Sequence, residues 1–318
     1  MEDYPDTIQE FETRFSTEGG CREDLIQLRW PGGFRCPRCG GSKASIVRGR
    51  LFQCSACRHQ TSVTAGTIFQ DMRKPLTMWF RAMWYVTTQK QGASALGLQR
   101  VLGLRSYQTA WLWLHQLRRA MVRPGRDKRS GSVEVDETYL GGWEETKTGR
   151  GGVEKALIII AAQADGQGIG RVRLRVIEDA SAESLQAFVP DVIEAGSTIH
   201  TDGWWGYSGL PKKGYDHVIT PIRGRPKDAS KRMPRGHQVA SLLQRWLWGT
   251  HQGAISHQHW MYYLDEFTFR FNRRRSKSRG KLFFRLVEQA VATGPEPYKL
   301  MVKSGKTRPS PAQYVGVS

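Results

Sequence analysis

Apolar residues recur at helical spacing near the start of the chain, at Ile8, Phe11 and Phe15 and again at Leu25, Ile26 and Leu28, which predicts helix over residues 7–29. Pro31-Gly32-Gly33 breaks that pattern, and residues 34–62 are short, turn-rich and polar. A second helical block runs from Lys74 to Val122, with Leu76, Trp79, Phe80 and Met83 on one stripe and Pro75 suited to a first turn. Beyond a basic linker, residues 123–131, the period changes to two. Val133–Tyr139, Ala156–Ala162, Arg171–Ile177, Ser197–Asp202 and His217–Ile222 read as strands, with a helix over Ala182–Ala195 between the third and fourth. His237–Val291 returns to helical spacing. Helices first and a mixed strand and helix region afterwards predict a multidomain chain whose second part is α/β or α+β.

The 318 residues suffice for about two domains. Lys and Arg number 48 against 29 Asp and Glu, a net charge of +19 that selects a polyanion, nucleic acid before membrane, as partner. The strongly apolar run Ala156–Ala162 is far shorter than the roughly 20 residues of a spanning helix. Met1–Asp6 is acidic and lacks the basic and apolar regions of a signal peptide, so no membrane association is expected, and a cytoplasmic, nucleoid-associated protein is.

Four of the five cysteines form two CxxC pairs, Cys36/Cys39 and Cys54/Cys57, separated by fourteen residues. Two such knuckles close a tetrahedral thiolate site, so a structural Zn2+ in a zinc ribbon is expected over four free thiols. Cys21 stands outside the pattern and reads as a buried apolar residue, and His59 as a neighbouring surface histidine. Residues 94–111 have the form helix, glycine-containing turn, helix, with Ser94 and Ser106 as caps. As a helix-turn-helix this segment would present Tyr107 and Gln108 to DNA, with Arg118, Arg119 and Arg123 adding charge; an ordinary helical hairpin is the other reading.

Asp136 lies in an alternating strand and Asp202 ends another, and both precede glycine-containing turns. Carboxylates on neighbouring strands converge on hard divalent cations, while Asp-Gly is also a common turn dipeptide; the residues alone leave both readings open. On the helix that follows, Val239, Leu242, Leu243 and Trp246 share the apolar face, and His237, Ser241 and Gln244 the opposite one. Two basic runs flank these positions. The first is Lys212, Lys213, Arg223, Arg225, Lys227, Lys231, Arg232, Arg235 and Arg245, against Asp216 and Asp228. The second, Arg270, Arg273, Arg274, Arg275, Lys277, Arg279 and Lys281, contains no acid. Such runs are solvated faces or phosphate contacts. Trp204, Trp205, Tyr207 and Trp248 are core residues or stacking surfaces for unpaired bases.

The segments Cys36–Cys57, Thr64–Phe69, Val135–Gly142, His200–Tyr207, Trp246–Gly253 and Tyr263–Arg274 resemble, in order, those of transposases of the IS1595 family, in its ISXO2-like branch. The resemblance implies a zinc ribbon, a helix-turn-helix region and a ribonuclease-H-like catalytic domain of the DDE type, acting with Mg2+ or Mn2+. Asp136 and Asp202 become the first two metal carboxylates and His237 the third catalytic position, with Gln244 where lysine is usual. Arg273 and Arg274 join Tyr107, Gln108, Arg118, Arg119 and Gln244 as DNA contacts. Double-stranded DNA, as transposon ends and target, is the expected partner, bound by a homo-oligomer. The neutral Gln244 keeps a second reading, a weakened or inactive copy that acts as a DNA-binding protein. The expected divisions are 1–30 helical lead-in, 31–62 ribbon, 63–125 helical DNA-binding region, 126–292 catalytic domain and 293–318 tail.

Overall fold

The computed structural model describes residues 3–123, 125–141, 155–221, 229–252, 255–296 and 298–303. In chain order the elements begin with helices α1 (Ile8–Arg14) and α2 (Glu18–Arg29), then strands β1 (Ala44–Val47), β2 (Leu51–Cys54) and β3 (Gln60–Thr61). Helices α3 (Leu76–Thr88), α4 (Ala95–Leu102) and α5 (Tyr107–Ala120) follow. Next come β4 (Ser132–Leu140), β5 (Ala156–Asp165), β6 (Gly168–Ile177), α6 (Ala182–Val192), β7 (Thr198–Thr201) and β8 (Asp216–Ile219). The chain ends with α7 (Ala229–Arg232), α8 (Pro234–His251), α9 (Trp260–Phe271), α10 (Arg279–Ala292) and α11 (Tyr298–Lys303). No helix among the described residues is long and apolar enough to cross a membrane.

The chain divides into two compact units, residues 1–124 with 276–318, and residues 125–275. In the first, the helix expected over 7–29 is broken after Arg14, because Thr17 turns extended and its hydroxyl caps α2 by accepting from Gly20 N at 3.2 Å. Three short antiparallel strands in the order β1-β2-β3 make a small sheet, with Trp30, Phe34 and Phe52 in mutual ring contact beside it. The helical core gathers around one ring. Phe283 of α10 lies 5.4–5.8 Å from Phe11, Phe15, Phe80 and Trp84. Helix α10 was expected in the second domain, since its own apolar stripe does not say which core it fills; here it packs in the first unit.

The second unit is a five-stranded sheet in the order β6-β5-β4-β7-β8. β4, β5 and β6 pair antiparallel, whereas β7 runs parallel to both β4 and β8. Leu140, Ile158, Ile160, Val172 and Leu174 pack on one face against Val239, Leu243 and Leu247 of α8 and Trp260, Leu264 and Phe267 of α9. Val133, Val135, Leu157 and Ile159 pack on the other against Leu185, Phe188 and Val189 of α6. Both faces of β5 are thus covered, which is why it reads as an unbroken apolar run rather than an alternating one. Asn272, just past α9, fastens that helix to the β6 edge, donating to Val172 O at 3.1 Å and accepting from Val172 N at 2.7 Å.

Candidate functional site

The four cysteines come together through two matching turns. Gly40 N donates to Cys36 O at 2.9 Å and Arg58 N to Cys54 O at 3.0 Å, and both Gly40 and Arg58 have positive φ. Each turn therefore aims its two thiols the same way. Cys36 Sγ lies 3.6 Å from Cys57 Sγ, Cys39 Sγ 3.6 Å from Cys54 Sγ, and all four sulfurs fall within 4.8 Å of one another. A tetrahedral ion with ~2.3 Å bonds to sulfur needs them about 3.8 Å apart, so the cage fits a thiolate-bound metal. A Cβ at position 41 would lie 3.3 Å from Cys54 Sγ and 3.4 Å from Cys39 Sγ; glycine keeps the cradle open. Backbone N–H groups, led by that of Cys57, draw the Cys54 thiol down to about 7, whereas, against the Gly41 N–H that lowers it, hydrogen bonds with Cys57 and Cys54 hold Cys39 up at about 12. Cys21, outside the cluster, is fully buried as expected.

A second constellation forms where β4 and β7 run side by side. Glu134 of β4 is in register with His200 of β7, and since the pair is parallel, two residues further along places Asp136 beside Asp202. Asp202 leaves the end of β7 in a turn: its Oδ1 accepts from Trp204 N at 2.9 Å, and Gly203 has φ +90°. Helix α8 brings His237 over the pair, with Nε2 3.9 Å from Asp136 Oδ2, too far for a hydrogen bond. Burial pushes the Asp136 carboxyl above its ordinary range; His237 opposes this, and Asp202 and Glu134 add to it. Burial likewise raises Glu137 to about 7, against the hydrogen bond from the Tyr207 hydroxyl. Negative charge thus converges at one end of the sheet with one imidazole beside it. Its donor atoms are more spread than the cysteine sulfurs, which among the described residues are the only such group of three or more with every ligand atom within 4.8 Å.

Sequence reasoning missed what holds α8 in place. The helix begins Met233-Pro234 and has no side-chain cap of its own. Glu134 supplies it from β4, accepting from Arg235 N at 2.7 Å and Gly236 N at 3.0 Å while also pairing with Arg235 Nη1 at 2.8 Å. A carboxylate at a helix N-terminus satisfies free N–H groups and complements the dipole. Gly236 permits the approach, since a Cβ there would sit 3.0 Å from Asp136 Cβ. The alternation Glu134, Val135, Asp136 puts both acids on one strand face, and that was the available signal. Glu137 and Tyr207, bonded on the opposite face, were also passed over as a pair.

The expected DNA contacts separate. Tyr107 and Gln108 are exposed at the start of α5, where Ser106 gives no helix cap and instead donates to Gln108 Oε1 at 2.6 Å. Ser94 caps α4 as expected, accepting from Gly97 N at 3.0 Å, and Gly103 ends it with φ +61°. Arg118 is a correction: at 1% exposure it lies on the buried face of α5 with Leu114 and Leu117 and is not available to a phosphate. Arg119 is ion-paired with Glu296. Gln244 is exposed on α8. Arg273 and Arg274 lie over their own Phe269 and Phe271 rings, at 4.0 and 3.9 Å, and Arg274 is the more exposed. Arg223, Arg225 and Lys227 fall outside the described residues.

Residues 128–272 match the family model of the ISXO2-like transposase domain, and residues 16–60 that of the transposase zinc-ribbon domain. A protein described as uncharacterised in transposable element ISH50 of Halobacterium salinarum is 26% identical over 261 residues, covering 76% of this chain and 86% of its own length. Among solved structures, the Mos1 transposase paired-end complex with left transposon end shares 14% identity at a TM-score of 0.28, over 70% of this chain and 79% of that one. A pre-cleavage Mos1 transpososome gives 14% and 0.25, over 72% and 82%. TM-scores this low carry no argument about the fold. The two domain models match in order along the chain, one over the four cysteines and the other over Asp136 and Asp202, and make residues 16–60 and 128–272 similar to transposases of the IS1595 family.

Proposed function

We propose that the protein binds the terminal inverted repeats of its insertion sequence and catalyses metal-dependent strand cleavage and strand transfer. The observation that carries this reading is the parallel β4–β7 register, which sets Asp136 beside Asp202 under His237. The antiparallel β4-β5-β6 meander continued by parallel β7 and β8 supports a ribonuclease-H-like sheet. Asp136 and Asp202 supply hard oxygen donors suited to Mg2+ or Mn2+, and the four cysteines soft donors suited to structural Zn2+. When bound, paired divalent ions supply activation of the attacking oxygen and stabilisation of the leaving one.

The protein's own residues do the rest. Asp136 and Asp202 would hold these ions. His237 faces the same space and positions the attacking oxygen or a phosphate oxygen. Exposed Trp204 and Trp205 flank Asp202 and offer faces for unpaired bases, the first fixed by its indole N–H on Ala180 O at 2.8 Å. Helices α4 and α5 act as the helix-turn-helix, reading DNA through Tyr107 and Gln108. Two or more copies hold a pair of ends.

The test is cleavage and joining of a duplex ending in the element's own inverted repeat, with Mg2+ or Mn2+. Asp136→Ala and Asp202→Ala should each abolish both steps and leave end binding intact; metal-dependent activity in either variant sinks the assignment. Exposed Gln244, neutral where a cation would grip phosphate more strongly, favours the second reading of a weakened copy that binds without cutting. Salt-sensitive binding with no cleavage under any divalent ion would establish it.

A further inference from the structure

The pairing of β4 with β7 stops at Glu134 and His200, two residues short of the carboxylates. Asp202 lies one residue past the end of β7, and the bonds at that end run toward β8. Thr220 N donates to Thr201 O at 2.8 Å, and the Thr201 hydroxyl and His217 Nε2 share a hydrogen bond of 2.8 Å. A tie from the Asp202 turn back to β4 lies on the other face of the sheet. Alternation along β4 puts Asp136 on the α8 side, and Glu137 with Val133 and Val135 on the α6 side. There the hydroxyl of Tyr207, in the turn that follows Asp202, donates to Glu137 Oε1. The Tyr207 side chain is fully buried in the α6 core.

These contacts join into one path between the two carboxylates. Asp136 Oδ1 accepts from Glu137 N at 3.0 Å, and Glu137 Oε1 accepts from the Tyr207 hydroxyl. Tyr207 N donates to Trp204 O at 3.2 Å, and Trp204 N to Asp202 Oδ1 at 2.9 Å. One oxygen of each aspartate is thus fixed by a backbone N–H, and a single bond between side chains links the two halves. The turn is also seated on α6: Gln186 Nε2 donates to Gly206 O at 3.1 Å, and a Cβ at Gly206 would lie 2.8 Å from Leu185 Cδ1. A buried phenol needs a partner, but a backbone carbonyl serves for that alone, as Ile193 O does for Tyr215 at 3.1 Å. Tyr207 instead reaches the residue next to Asp136. We propose that Glu137 and Tyr207 are positioning residues, a strap that fixes the separation of Asp136 and Asp202 and with it the affinity of the pair for a divalent cation. The strap rests on the proposed function, which makes those two aspartates the metal carboxylates. Groups that orient metal ligands without touching the ion are worth about 10–100-fold in metal affinity.

The experiment is Mn2+ binding to the full, zinc-loaded protein, read from the loss of the free ion's electron paramagnetic resonance signal and independent of cleavage. Zinc keeps the soft cysteine donors filled, so Mn2+ reports on the oxygen donors. Tyr207→Phe keeps the ring and should bind Mn2+ about tenfold more weakly, as should Glu137→Ala. Glu137→Gln retains an acceptor for the Tyr207 hydroxyl and should recover most of that loss. Tyr215→Phe removes a buried hydroxyl of the same core outside this path and should bind as the parent does. Parental affinity in Tyr207→Phe overturns the strap. Equal weakening in Tyr215→Phe reduces the effect to general loosening of the core and overturns it too. A Glu137→Gln variant as weak as Glu137→Ala means that the carboxylate charge acts on the ion, which overturns the positioning role. If the parent shows no Mn2+ binding that Asp136→Ala removes, the metal reading in the proposed function falls; if that binding is present and Tyr207→Phe keeps it, the strap alone does.

Discussion

Gly236 is where space is tightest around the carboxylates. A methyl there would press on Asp136 at 3.0 Å from its Cβ and 3.3 Å from its Oδ2, so either α8 or the carboxylate must give by a few tenths of an ångström. Alanine favours helix over glycine by up to ~1 kcal/mol, which offsets much of the crowding. Gly236→Ala is therefore expected to melt within ~1 kcal/mol of the parent while cleaving about tenfold more slowly, because small misplacements of reacting groups are costly. Melting and single-turnover cleavage on one preparation check this, and a parental rate would show that the approach of α8 does not matter. At this scale the sequence was informative wherever chemistry lies in a contiguous motif. Cys36–Cys57 announced itself through spacing, whereas Asp136 and Asp202 stayed open between metal ligands and turn residues until the family resemblance implied a role for them. Glu134 went unread, because its partners Arg235 and Gly236 are about a hundred residues away. Arg118 misled for a related reason: a basic residue beside Arg119 looks like surface, and only the phase of α5 against its core turns it inward.

Two helices share one device at the scale of elements. α3 starts at Pro75 and α8 at Met233-Pro234, and neither has a side-chain cap of its own. Glu18 caps α3 from α2, accepting from Leu76 N at 3.0 Å and Thr77 N at 2.9 Å, as Glu134 caps α8 from β4. Periodicity located both helices, but it could not show that each is anchored by a borrowed carboxylate. The ribbon is different again, with strands of only four, four and two residues. So small a sheet would depend for stability on a metal held by its four cysteines. Chelation should release one zinc per chain, open residues 31–62 to protease and expose four thiols to alkylation. Cys21 should stay unmodified at pH 8 until the helices unfold, because burial, with Glu18 and Asp24 adding, holds its thiol up at about 12. Five reactive thiols in the chelated but helical protein would contradict this.

Across the whole molecule, the first unit is assembled from both ends of the chain, with the second lying between them in sequence. Leu282, Phe283, Leu286 and Val287 of α10 are buried, and Phe283 touches four aromatic rings contributed by residues 11–84. Gly280 admits the N-terminal segment so closely that a Cβ would overlap Pro5 O. A chain cut back to residue 275 should keep the sheet unit folded and lose the helical one, since removing a core Phe alone costs about 3–5 kcal/mol. Limited proteolysis is expected to degrade residues 1–124 and spare 125–275; an intact N-terminal half would refute the assignment of α10. The amphipathic pattern of 279–292 was readable as a helix, but a stripe of apolar residues carries no address, so its membership in the first unit was not.

That arrangement also orders events on the ribosome. The unit begun first cannot be finished until α10 has emerged, some 168 residues after residue 124, or roughly ten to thirty seconds later at ordinary elongation rates. The sheet bearing Asp136 and Asp202 is complete before the helices that accompany it. A prematurely terminated product would carry the carboxylates but lack a finished helical core, and would be open to proteolysis. Completion of translation thereby becomes a condition for a stable protein.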